Sequence, residues 1–402
     1  MTDRLYYADP YLREFDAAVR RIEPRDGRLV VTLDRTAFYP TSGGQPYDTG
    51  TLGPFRVVDV IDEEDGTISH FVENPEPRTP YAEPGATLHG VIDWPRRFDH
   101  MQQHTGQHLL SAAFERLFRI RTVSFHLGAD VSTIDLAREA SPAEIVAAEN
   151  EANRVVWEDR PVSIRYASAA DAAQLPLRKE PKRGGTLRLI EVADFDLSAC
   201  GGTHVSRTGG IGVIAVARWD RFKGGQRLEF VCGGRALAAY RALRDATAAS
   251  VRLLSVLPDE LPGSIERLQA ELKEQKRAWS AQQQELARYR ADELAAAAET
   301  LPGVQFVARA VDADANTLKA MATSIASRPG FVVALMSAST PSLVVIARSD
   351  GLNVSAQHVL ASLVARFGGR GGGRPELAQG GGLVGSHDAI LSAVREVLSV
   401  ST

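Results

Sequence analysis

The chain has 402 residues, of which 44% are hydrophobic and 24% are charged, and its net charge is −4. This composition predicts a soluble globular protein of two or three domains, and bulk charge does not favour nonspecific polyanion binding, so any nucleic-acid site must be a local basic patch. The two cysteines exclude a disulfide scaffold and favour a reducing cytosol. Because no apolar run reaches about 18 residues, we expect a cytoplasmic protein that does not enter a membrane.

We expect a mixed α+β fold that begins with a β-rich, β-barrel-like domain at residues 1–93. Short apolar runs between polar turns predict its strands. These predicted strands lie at 29–33, 55–60, 67–72 and 88–92. A Gly-rich turn at 38–45 separates the first strand from the second.

Residues 94–236 are predicted to form a central α+β domain. Ser141, followed by Pro142 and Glu144, has the features of a helix start. The predicted elements are, in order, a helix at 96–120, strands at 123–127 and 132–136, a helix from 141 to 157, and Gly-rich strands and loops at 186–233.

A helical arm is predicted at 237–300. A partial heptad runs through it, with glutamines in the companion seam. The apolar heptad positions are Ile265, Leu272, Trp279 and Leu286. This pattern favours a solvated helical spacer, and the alternative is a weak dimer seam.

Residues 301–402 are predicted to form a separate α/β domain. Its predicted elements are, in order, a strand at 305–311, a helix at 316–327, strands at 331–336 and 343–347, a helix at 355–367, a Gly-rich loop at 368–382 and a helix at 386–400. The loop lacks the Gly-Lys-Ser/Thr ending of a phosphate loop, which argues against nucleotide binding. Its glycines, with Arg370 and Arg374, favour contact with phosphate or sugar, and a flexible hairpin is the alternative.

Two pairs of side chains have the spacing of metal ligands. His104 and His108 are four residues apart, which places both imidazoles on one face of the predicted helix. Cys200 and His204 are also four apart, and the glycines between them allow a turn around a cation. Three imidazoles and one thiolate are donors that Zn²⁺ prefers, so we predict a zinc site.

Three segments resemble parts of a known family. They are FYPTSGGQP at 38–46, QHTGQHLL at 103–110 and CGGTHV at 200–205. All three resemble the editing domain of alanyl-tRNA synthetase, and most closely its free-standing AlaX relatives. The Gly-rich loop resembles the C-terminal DHHA1-type domain of the same synthetase, so the resemblance covers nearly the whole chain and is closest to long-form AlaX.

The resemblance implies a zinc-dependent aminoacyl-tRNA hydrolase that edits in trans. It implies that His104, His108, Cys200 and His204 bind zinc and that Gln45 lies at the edge of the same pocket, and we predict all five as catalytic. Whether the zinc is catalytic or only orders the pocket stays open, because four protein ligands are typical of a structural site.

The expected substrates are tRNA(Ala) molecules mischarged with serine, and with glycine as a second candidate. The aminoacylation pocket of a synthetase that fits alanine cannot strongly exclude glycine, nor a side chain that merely adds a hydroxyl. The editing site must therefore accept serine and reject alanine, which a polar group could do. The candidate substrate-binding residues are Thr41, Ser42, Gln45 and Thr203 near the pocket, and Arg370 and Arg374 for contact with tRNA.

Two other functions stay open at this point. The first is a non-catalytic tRNA-binding or assembly module with a structural zinc, which the closed ligand set favours. For either function, a homodimer through the helical arm or the C-terminal domain is a further expectation. The second is a zinc hydrolase of another ester or amide, for which the arm and the distal Gly/Arg segment would have no purpose.

Overall fold

The structure is a computed structural model in which the chain forms two compact units, Met1–Ala249 and Ser250–Thr402. It describes residues 1–25, 27–73, 83–178 and 185–401. Both units contain helices and strands, which confirms the mixed α+β class. The four-domain division is finer than these two units and stays a prediction. Within the described ranges, no helix is both long enough and apolar enough to cross a lipid bilayer.

The first unit begins with a closed six-stranded barrel, which confirms the β-barrel-like prediction. The elements of this part are β1 (Asp3–Arg4), α1 (Leu5–Ala8), β2 (Glu14–Arg25), β3 (Arg28–Leu33), β4 (Arg35–Thr36), β5 (Gly50–Leu52), β6 (Phe55–Asp62), β7 (Ile68–Glu73) and β8 (Thr87–Ile92). Around the barrel the strands follow the order β2-β3-β7-β6-β5-β8, and β1 pairs with β4 separately. Phe15, Ala17 and Val19 alternate along β2 and are buried, because successive strand residues point to opposite faces.

The rest of the first unit combines a long helix with two antiparallel sheets. Its elements are α2 (Trp94–Phe118), β9 (Thr122–Leu127), β10 (Ser132–Leu136), α3 (Pro142–Trp157), β11 (Val162–Ala167), α4 (Ala169–Ala172), β12 (Leu187–Val192), β13 (Asp196–Ala199), β14 (Ile214–Phe222), β15 (Gly225–Cys232) and α5 (Gly233–Leu254), with a 3-10 turn at Thr208–Ile211. The sheet orders are β14-β15-β10-β9 and β11-β12-β13.

Local sequence signals fix the ends of the two long helices. The Asp93 carboxylate caps α2 by accepting a hydrogen bond from the Arg96 backbone N–H, and α2 ends at Arg119, which has a φ of 56°. At α3, Ser141 and Glu144 form a reciprocal capping box. The helix start predicted at Ser141 is confirmed.

Most of α2 is enclosed by its neighbours. Leu109, Leu110 and Phe114 are completely buried and share one hydrophobic core with Ile145 and Val155 of α3. Polar residues on the remaining faces of α2 are therefore also shut away from bulk solvent. A buried polar group costs free energy unless it has a partner, so these residues need an explanation.

The second unit contains a six-stranded sheet with helices. Its elements are α6 (Leu261–Ala296), β16 (Glu299–Leu301), β17 (Val304–Val311), α7 (Ala315–Ala326), β18 (Phe331–Ser337), β19 (Ser342–Arg348), α8 (Ala356–Phe367), β20 (Arg370–Gly373), β21 (Leu377–Leu383) and α9 (His387–Ser401), with a 3-10 turn at Pro258–Glu260. The sheet order is β16-β17-β18-β19-β21-β20. The strands and helices predicted from 305 to 367 are confirmed to within one residue at each end.

The Gly-rich segment at 368–382 is not a loop. Most of it forms the antiparallel hairpin of β20 and β21 at the edge of the sheet. The glycines permit unusually close backbone packing, since a Cβ on Gly371 would lie 2.4 Å from Gly380 Cα. The loop prediction is wrong and the alternative of a hairpin is confirmed, although glycine here serves strand packing rather than chain flexibility.

The buried side of α6 is not the side that carries the apolar heptad residues. Ala287, Ala291 and Ala295 are spaced four residues apart and pack in the same core as α7. Leu272 and Trp279, which occupy heptad positions, are 54% and 65% exposed. Within this unit the apolar heptad residues thus stay on the surface, and the dimer seam stays a prediction.

Candidate metal centre

Four side chains from two distant segments converge in the first unit. His104 and His108 lie on α2, whereas Cys200 and His204 lie in the turn that follows β13. One donor atom from each residue lies within 4.8 Å of the other three. Cys200 Sγ is 3.3 Å from His104 Nε2 and 3.4 Å from His204 Nε2. The structure thus brings together all four side chains that the sequence singled out.

The turn that carries Cys200 approaches α2 very closely, and glycine makes this approach possible. A Cβ on Gly202 would lie 2.1 Å from His104 Cε1 and 3.0 Å from Gln45 Oε1, so another residue could fit only by displacing this ligand ring. Arg188 fixes the backbone of the turn. Its Nη1 donates to the carbonyl oxygens of Cys200, at 2.8 Å, and of Gly202, at 2.9 Å.

Each imidazole of the cluster is held at Nδ1 by a separate acceptor. The contacts are His104 to Gln45 Oε1 (2.8 Å), His108 to Asp196 Oδ2 (2.9 Å) and His204 to Thr105 Oγ1 (3.2 Å). Carboxylate and amide oxygens only accept, and the Thr105 hydroxyl already donates its proton to Met101 O. In their neutral forms, all three rings therefore carry the proton on Nδ1 and keep the Nε2 lone pair for a metal.

Gln45 lies behind the cluster and is completely buried. Its Oε1 accepts from the Thr203 backbone N–H at 3.1 Å as well as from His104, which identifies this atom as the oxygen. Its Nε2 donates to Thr203 Oγ1 at 2.8 Å. The whole amide is thus used to position the ligand imidazole and the Thr203 segment.

Asp196 connects the cluster to a partly buried ion pair. Arg178 Nε donates to Asp196 Oδ1 at 2.6 Å, while Oδ2 accepts from His108. Burial alone would raise the pKa of Asp196, but Arg178 and His108 outweigh it and hold the pKa well below its usual range. Burial alone would likewise lower the pKa of His108, but its hydrogen bond to the ionised Asp196 raises it.

The electrostatics of the cluster suit metal ligation. Burial and the neighbouring His104 lower the pKa of His204 to about 3, so this ring is neutral at pH 7. Burial alone would raise the pKa of the Cys200 thiol, but His104 and His204 outweigh it and place that pKa well below its ordinary value. Neutral imidazole and thiolate are the forms that bind metals.

The Gly-rich turn that carries Gln45 is a tight hairpin. Ser42 and Gln45 exchange backbone hydrogen bonds of 3.1 and 2.9 Å. Between them, Gly43 and Gly44 have φ values of 55° and 85°, in the left-handed region that favours glycine. A Cβ on Gly44 would also lie 2.8 Å from the Phe125 ring. The two glycines therefore set both the turn and its packing.

A completely buried ion pair joins this turn to α2. Asp48, three residues after Gln45, pairs with Arg97, and neither side chain is exposed. The Asp48 carboxylate also accepts from the Tyr39 backbone N–H at 2.6 Å. Arg97 lies about two helical turns before His104, so the pair aligns the turn with the ligand helix.

A cavity of about 150 Å³ lies beside the cluster. It has three of the four ligand residues in its wall: His104, His108 and Cys200. The other lining residues are Tyr39, Ser42, Gly43, Gln107, Thr122, Ser124, Phe125, Arg178, Ser198, Ala199, Gly201 and Gly202. A small molecule in this cavity would contact the cluster directly.

The structure separates the predicted substrate-binding residues. Ser42 lines the cavity, whereas Thr41 is exposed and lies outside the lining. Thr203 is completely buried, with its hydroxyl bonded to the Gln45 amide. Arg370 and Arg374 are exposed in the second unit and form no ion pair with any residue in the described ranges.

Several residues around the cluster were not predicted from the sequence. Asp196 and Arg178 had no motif to mark them, because they meet His108 only through the fold. Gln107 had a signal: it is three residues after His104, so a helix places both on the same side. The fit of the whole set to a metal is good, since three Nε2 atoms and one thiolate form a donor set compatible with zinc.

The chain is similar over nearly its whole length to an editing protein. The alanyl-tRNA editing protein AlaX-L of Pyrococcus horikoshii is 31% identical over 391 residues, which cover 94% of this chain and 94% of that protein. The chain belongs to the AlaX-L family. This family membership confirms the resemblance found in the sequence motifs.

Family models match three segments of this family member. The matched models are tRNA synthetases class II (A) at residues 11–96, the threonyl and alanyl tRNA synthetase second additional domain at 187–229, and the DHHA1 domain at 303–400. The first match covers most of the barrel and the second includes Cys200 and His204. The third covers most of the second unit, which confirms the DHHA1-like C-terminal domain.

Alanine–tRNA ligases are also similar to this chain. Those of Pyrococcus abyssi and Pyrococcus furiosus are 33% and 34% identical and cover 94% of this chain, which spans 42% of either ligase. Among solved structures, the C-Ala domain from Aquifex aeolicus alanyl-tRNA synthetase is similar at 24% identity and a TM-score of 0.24, covering 26% of this chain and 96% of that domain. A TM-score this low carries no argument about the fold.

Proposed function

We propose that this chain is a zinc-dependent aminoacyl-tRNA deacylase that acts in trans on tRNA(Ala) mischarged with serine or glycine. The observation that carries the proposal is the small polar cavity whose wall includes His104, His108 and Cys200. The chain's membership of a family of alanyl-tRNA editing proteins supports the substrate class. The reaction is hydrolysis of the ester that joins the amino acid to the terminal ribose.

Zinc, when bound by the four ligands, would supply Lewis acidity toward the ester carbonyl or toward water. The residues of the chain hold its ligands in place. Gln45, Asp196 and Thr105 keep the proton of each ligand ring on Nδ1, so that the three Nε2 atoms stay available. Because these partners are themselves buried and bonded, they hold the ligand rings in defined orientations.

The cavity favours a catalytic role for the metal over a purely structural one. A structural zinc site usually has four protein ligands and no access for substrate. Here the four ligands are present, but three of them also line a cavity. The closed ligand set remains the observation that favours the second candidate, a tRNA-binding or assembly module with a structural zinc.

We further propose that the second unit contributes tRNA affinity. Arg370 on β20 and Arg374 just beyond it are exposed, and no ion pair within the described part of the chain neutralises them. Unpaired arginines beside a glycine backbone can reach phosphate oxygens. The alternative role for this unit is to join two chains into a homodimer, and sedimentation of the protein with and without tRNA separates the two.

A matched pair of cysteine variants tests the proposed function. Cys200→Ala removes the thiolate of the ligand set and should lose both zinc and hydrolysis of Ser-tRNA(Ala). Cys232→Ala is the control, since Cys232 is completely buried and lies outside the cavity lining and the ligand set. Zinc content is measured by atomic emission and hydrolysis with purified charged tRNA. A Cys200→Ala protein that keeps its zinc and its hydrolysis contradicts the proposal.

A further inference from the structure

Arg178 is a cation in the wall of the cavity beside the cluster. Apart from the cluster residues, the other lining residues in the described part of the chain are neutral, and no aspartate or glutamate is among them. The whole chain has a net charge of −4, so this positive charge is a local feature. A cation in the wall of a small cavity favours a ligand that carries a negative charge.

Strand β13 holds Arg178 through both its backbone and its side chain. The Arg178 backbone N–H donates to Leu197 O at 3.0 Å. The side chain donates to the Asp196 carboxylate, from Nε to Oδ1 at 2.6 Å and from Nη2 to Oδ2 at 3.3 Å. The Ser198 hydroxyl donates to Oδ2 of the same carboxylate at 3.1 Å. The guanidinium is thus held in place before any ligand binds, with 13% of its side chain exposed.

The guanidinium keeps hydrogen-bond donors for a ligand. It has five N–H groups, and Asp196 accepts from only two of them. No residue in the ranges that the structure describes accepts a hydrogen bond from Nη1. Asp196 therefore occupies the edge formed by Nε and Nη2, and the edge formed by Nη1 and Nη2 is available. A planar edge of this kind binds a carboxylate or a phosphate with two parallel hydrogen bonds.

Asp196 is shared, so it does not neutralise Arg178 by itself. The same carboxylate accepts from His108 Nδ1 at 2.9 Å, and His108 is one of the four candidate metal ligands. With a divalent cation bound, the cation, the Cys200 thiolate, Asp196 and Arg178 leave one net positive charge on this side of the cavity. Because a partly buried charge without a full partner is costly, an anionic ligand would offset this charge.

The proposed substrate has a matching anion close to its reacting ester. The seryl and glycyl side chains are neutral, and the α-amino group of the amino acid is not an anion. The nearest negative charge is the phosphodiester on the 5′ side of the terminal nucleotide. We propose that Arg178 binds this 3′-terminal phosphate of the tRNA and so positions the ester beside the cluster. This inference rests on the proposed function.

The position of Arg178 favours the phosphate over the reacting ester itself. Asp196, which holds Arg178, contacts the Nδ1 side of His108, whereas Nε2 is the atom available to a metal. The carboxylate and the imidazole ring therefore lie between the guanidinium edge held by Asp196 and the metal-binding side of the ring. In the substrate, the terminal ribose separates the phosphate from the ester in a similar way. Arg178 is thus placed to bind the substrate rather than to stabilise charge on the ester.

This contact differs from the one proposed for Arg370 and Arg374. Those two arginines are exposed in the second unit, so only a large RNA could use them together with the cluster. Arg178 lines the cavity itself. Its contribution should therefore persist when the substrate is reduced to one nucleotide, which allows a test with small probes.

Two variants and one control test the contact. Arg178→Gln removes the charge, whereas Arg178→Lys keeps a charge but loses the planar edge. Arg165→Gln is the control, because Arg165 lies in the same sheet, pairs with Glu191 at 3.0 Å and does not line the cavity. Zinc content and circular dichroism are measured for each protein.

The probes are 3′-serylamino-3′-deoxyadenosine and its 5′-methylphosphate diester, in which an amide replaces the ester. Calorimetry with the zinc-loaded wild type should give about tenfold or more tighter binding of the phosphate probe, the order of a charge-assisted hydrogen bond. Arg178→Gln should remove this preference, Arg178→Lys should keep part of it, and the control should keep all of it. Equal binding of both probes by the wild type overturns the proposal, as does a full preference in Arg178→Gln. If Arg178→Gln loses zinc, Arg178→Lys decides, and an undiminished preference in that variant overturns the proposal.

Kinetics with Ser-tRNA(Ala) separate the phosphate contact from a contact with the ester. A phosphate contact exists before and during the reaction, so Arg178→Gln should lower kcat/KM mainly by raising KM. A loss confined to kcat, with the phosphate preference intact, would assign Arg178 to the reacting ester and overturn the proposal. A wild type that prefers the phosphate probe but hydrolyses no charged tRNA contradicts the proposed function and supports the Arg178 contact. A wild type that hydrolyses Ser-tRNA(Ala) but binds both probes equally contradicts only the Arg178 contact.

Discussion

The Asp196→Asn substitution tests whether the buried carboxylate sets the protonation of a metal ligand. Asp196 accepts from His108 Nδ1 at 2.9 Å through Oδ2 and from Arg178 Nε at 2.6 Å through Oδ1. An asparagine has one acceptor where the aspartate has two. If its oxygen faces the arginine, its amide N–H groups point at the Nδ1 proton, and the ring must move that proton to Nε2 to restore a hydrogen bond.

A proton on Nε2 removes the lone pair that His108 would give to zinc. Loss of such an outer partner lowers metal affinity by about 10- to 100-fold, which is about 1.4 to 2.7 kcal/mol. The assay is a zinc competition titration against a chromophoric chelator at neutral pH, with circular dichroism to check folding. Asp220→Asn is the matched control, because Asp220 is 63% exposed and pairs with an exposed arginine. Equal zinc affinity in wild type and Asp196→Asn would refute the reasoning.

Three further predictions concern other parts of the molecule. Gln45→Leu should weaken zinc binding by about tenfold in the same titration, because it removes the acceptor that holds one ligand imidazole; unchanged affinity with impaired hydrolysis would assign Gln45 to the substrate instead. Burial lowers the pKa of His70 to about 4, so this ring stays neutral in the folded protein as the pH falls toward 4. In the unfolded chain the same ring takes up a proton below the ordinary histidine pKa of about 6.5. The free energy of unfolding should therefore fall by about 3 kcal/mol as the pH drops from 6.5 to 4. Urea unfolding of His70→Leu should show a smaller decrease over the same pH range. Equal decreases in the two proteins would contradict this. The double variant Arg370→Ala/Arg374→Ala should reduce the slope of the log of the tRNA association constant against the log of the salt concentration by about 1 to 2. The control Arg328→Ala removes an arginine already paired with an aspartate and should leave the slope unchanged. An unchanged slope in the double variant would show that Arg370 and Arg374 do not contact tRNA.

The metal ligands could be predicted because their signal is local. His104 and His108 share a helix face, and Cys200 and His204 share a short Gly-containing turn, so spacing alone suggests two half-sites. That the halves meet is a property of the fold; the combined donor set predicted one shared zinc site, and the family resemblance then implied the same four ligands. The helix start at Ser141 was equally local, since a capping box involves only four consecutive residues.

The polar partners of the site could not be predicted in the same way. Asp196 meets His108 across 88 residues of sequence, and Gln45 meets Thr203 across 158. No spacing rule links such pairs, because their contact depends on how the barrel, α2 and the strands pack together. Gln107 is the exception, since its place on the ligand side of α2 can be worked out from the numbering.

Glycine misled the interpretation of the second unit. Eight glycines in a run of fifteen residues favoured a flexible loop. In the structure, Gly371 and Gly380 face each other in a hairpin where a side chain would collide with the opposite strand. The high glycine content was interpreted as backbone flexibility. Close packing of two strands also requires glycine, because a side chain would not fit between them.

The most direct test of the central claim is hydrolysis of three charged tRNAs by one preparation. The zinc-loaded protein is incubated with Ser-, Gly- and Ala-tRNA(Ala), and the experiment is repeated after chelation and after zinc is returned. The account predicts hydrolysis of the seryl and glycyl esters, survival of the alanyl ester, loss of activity with the chelator and recovery with zinc. Hydrolysis that ignores the chelator, or a zinc-loaded protein that leaves all three esters intact, would contradict it.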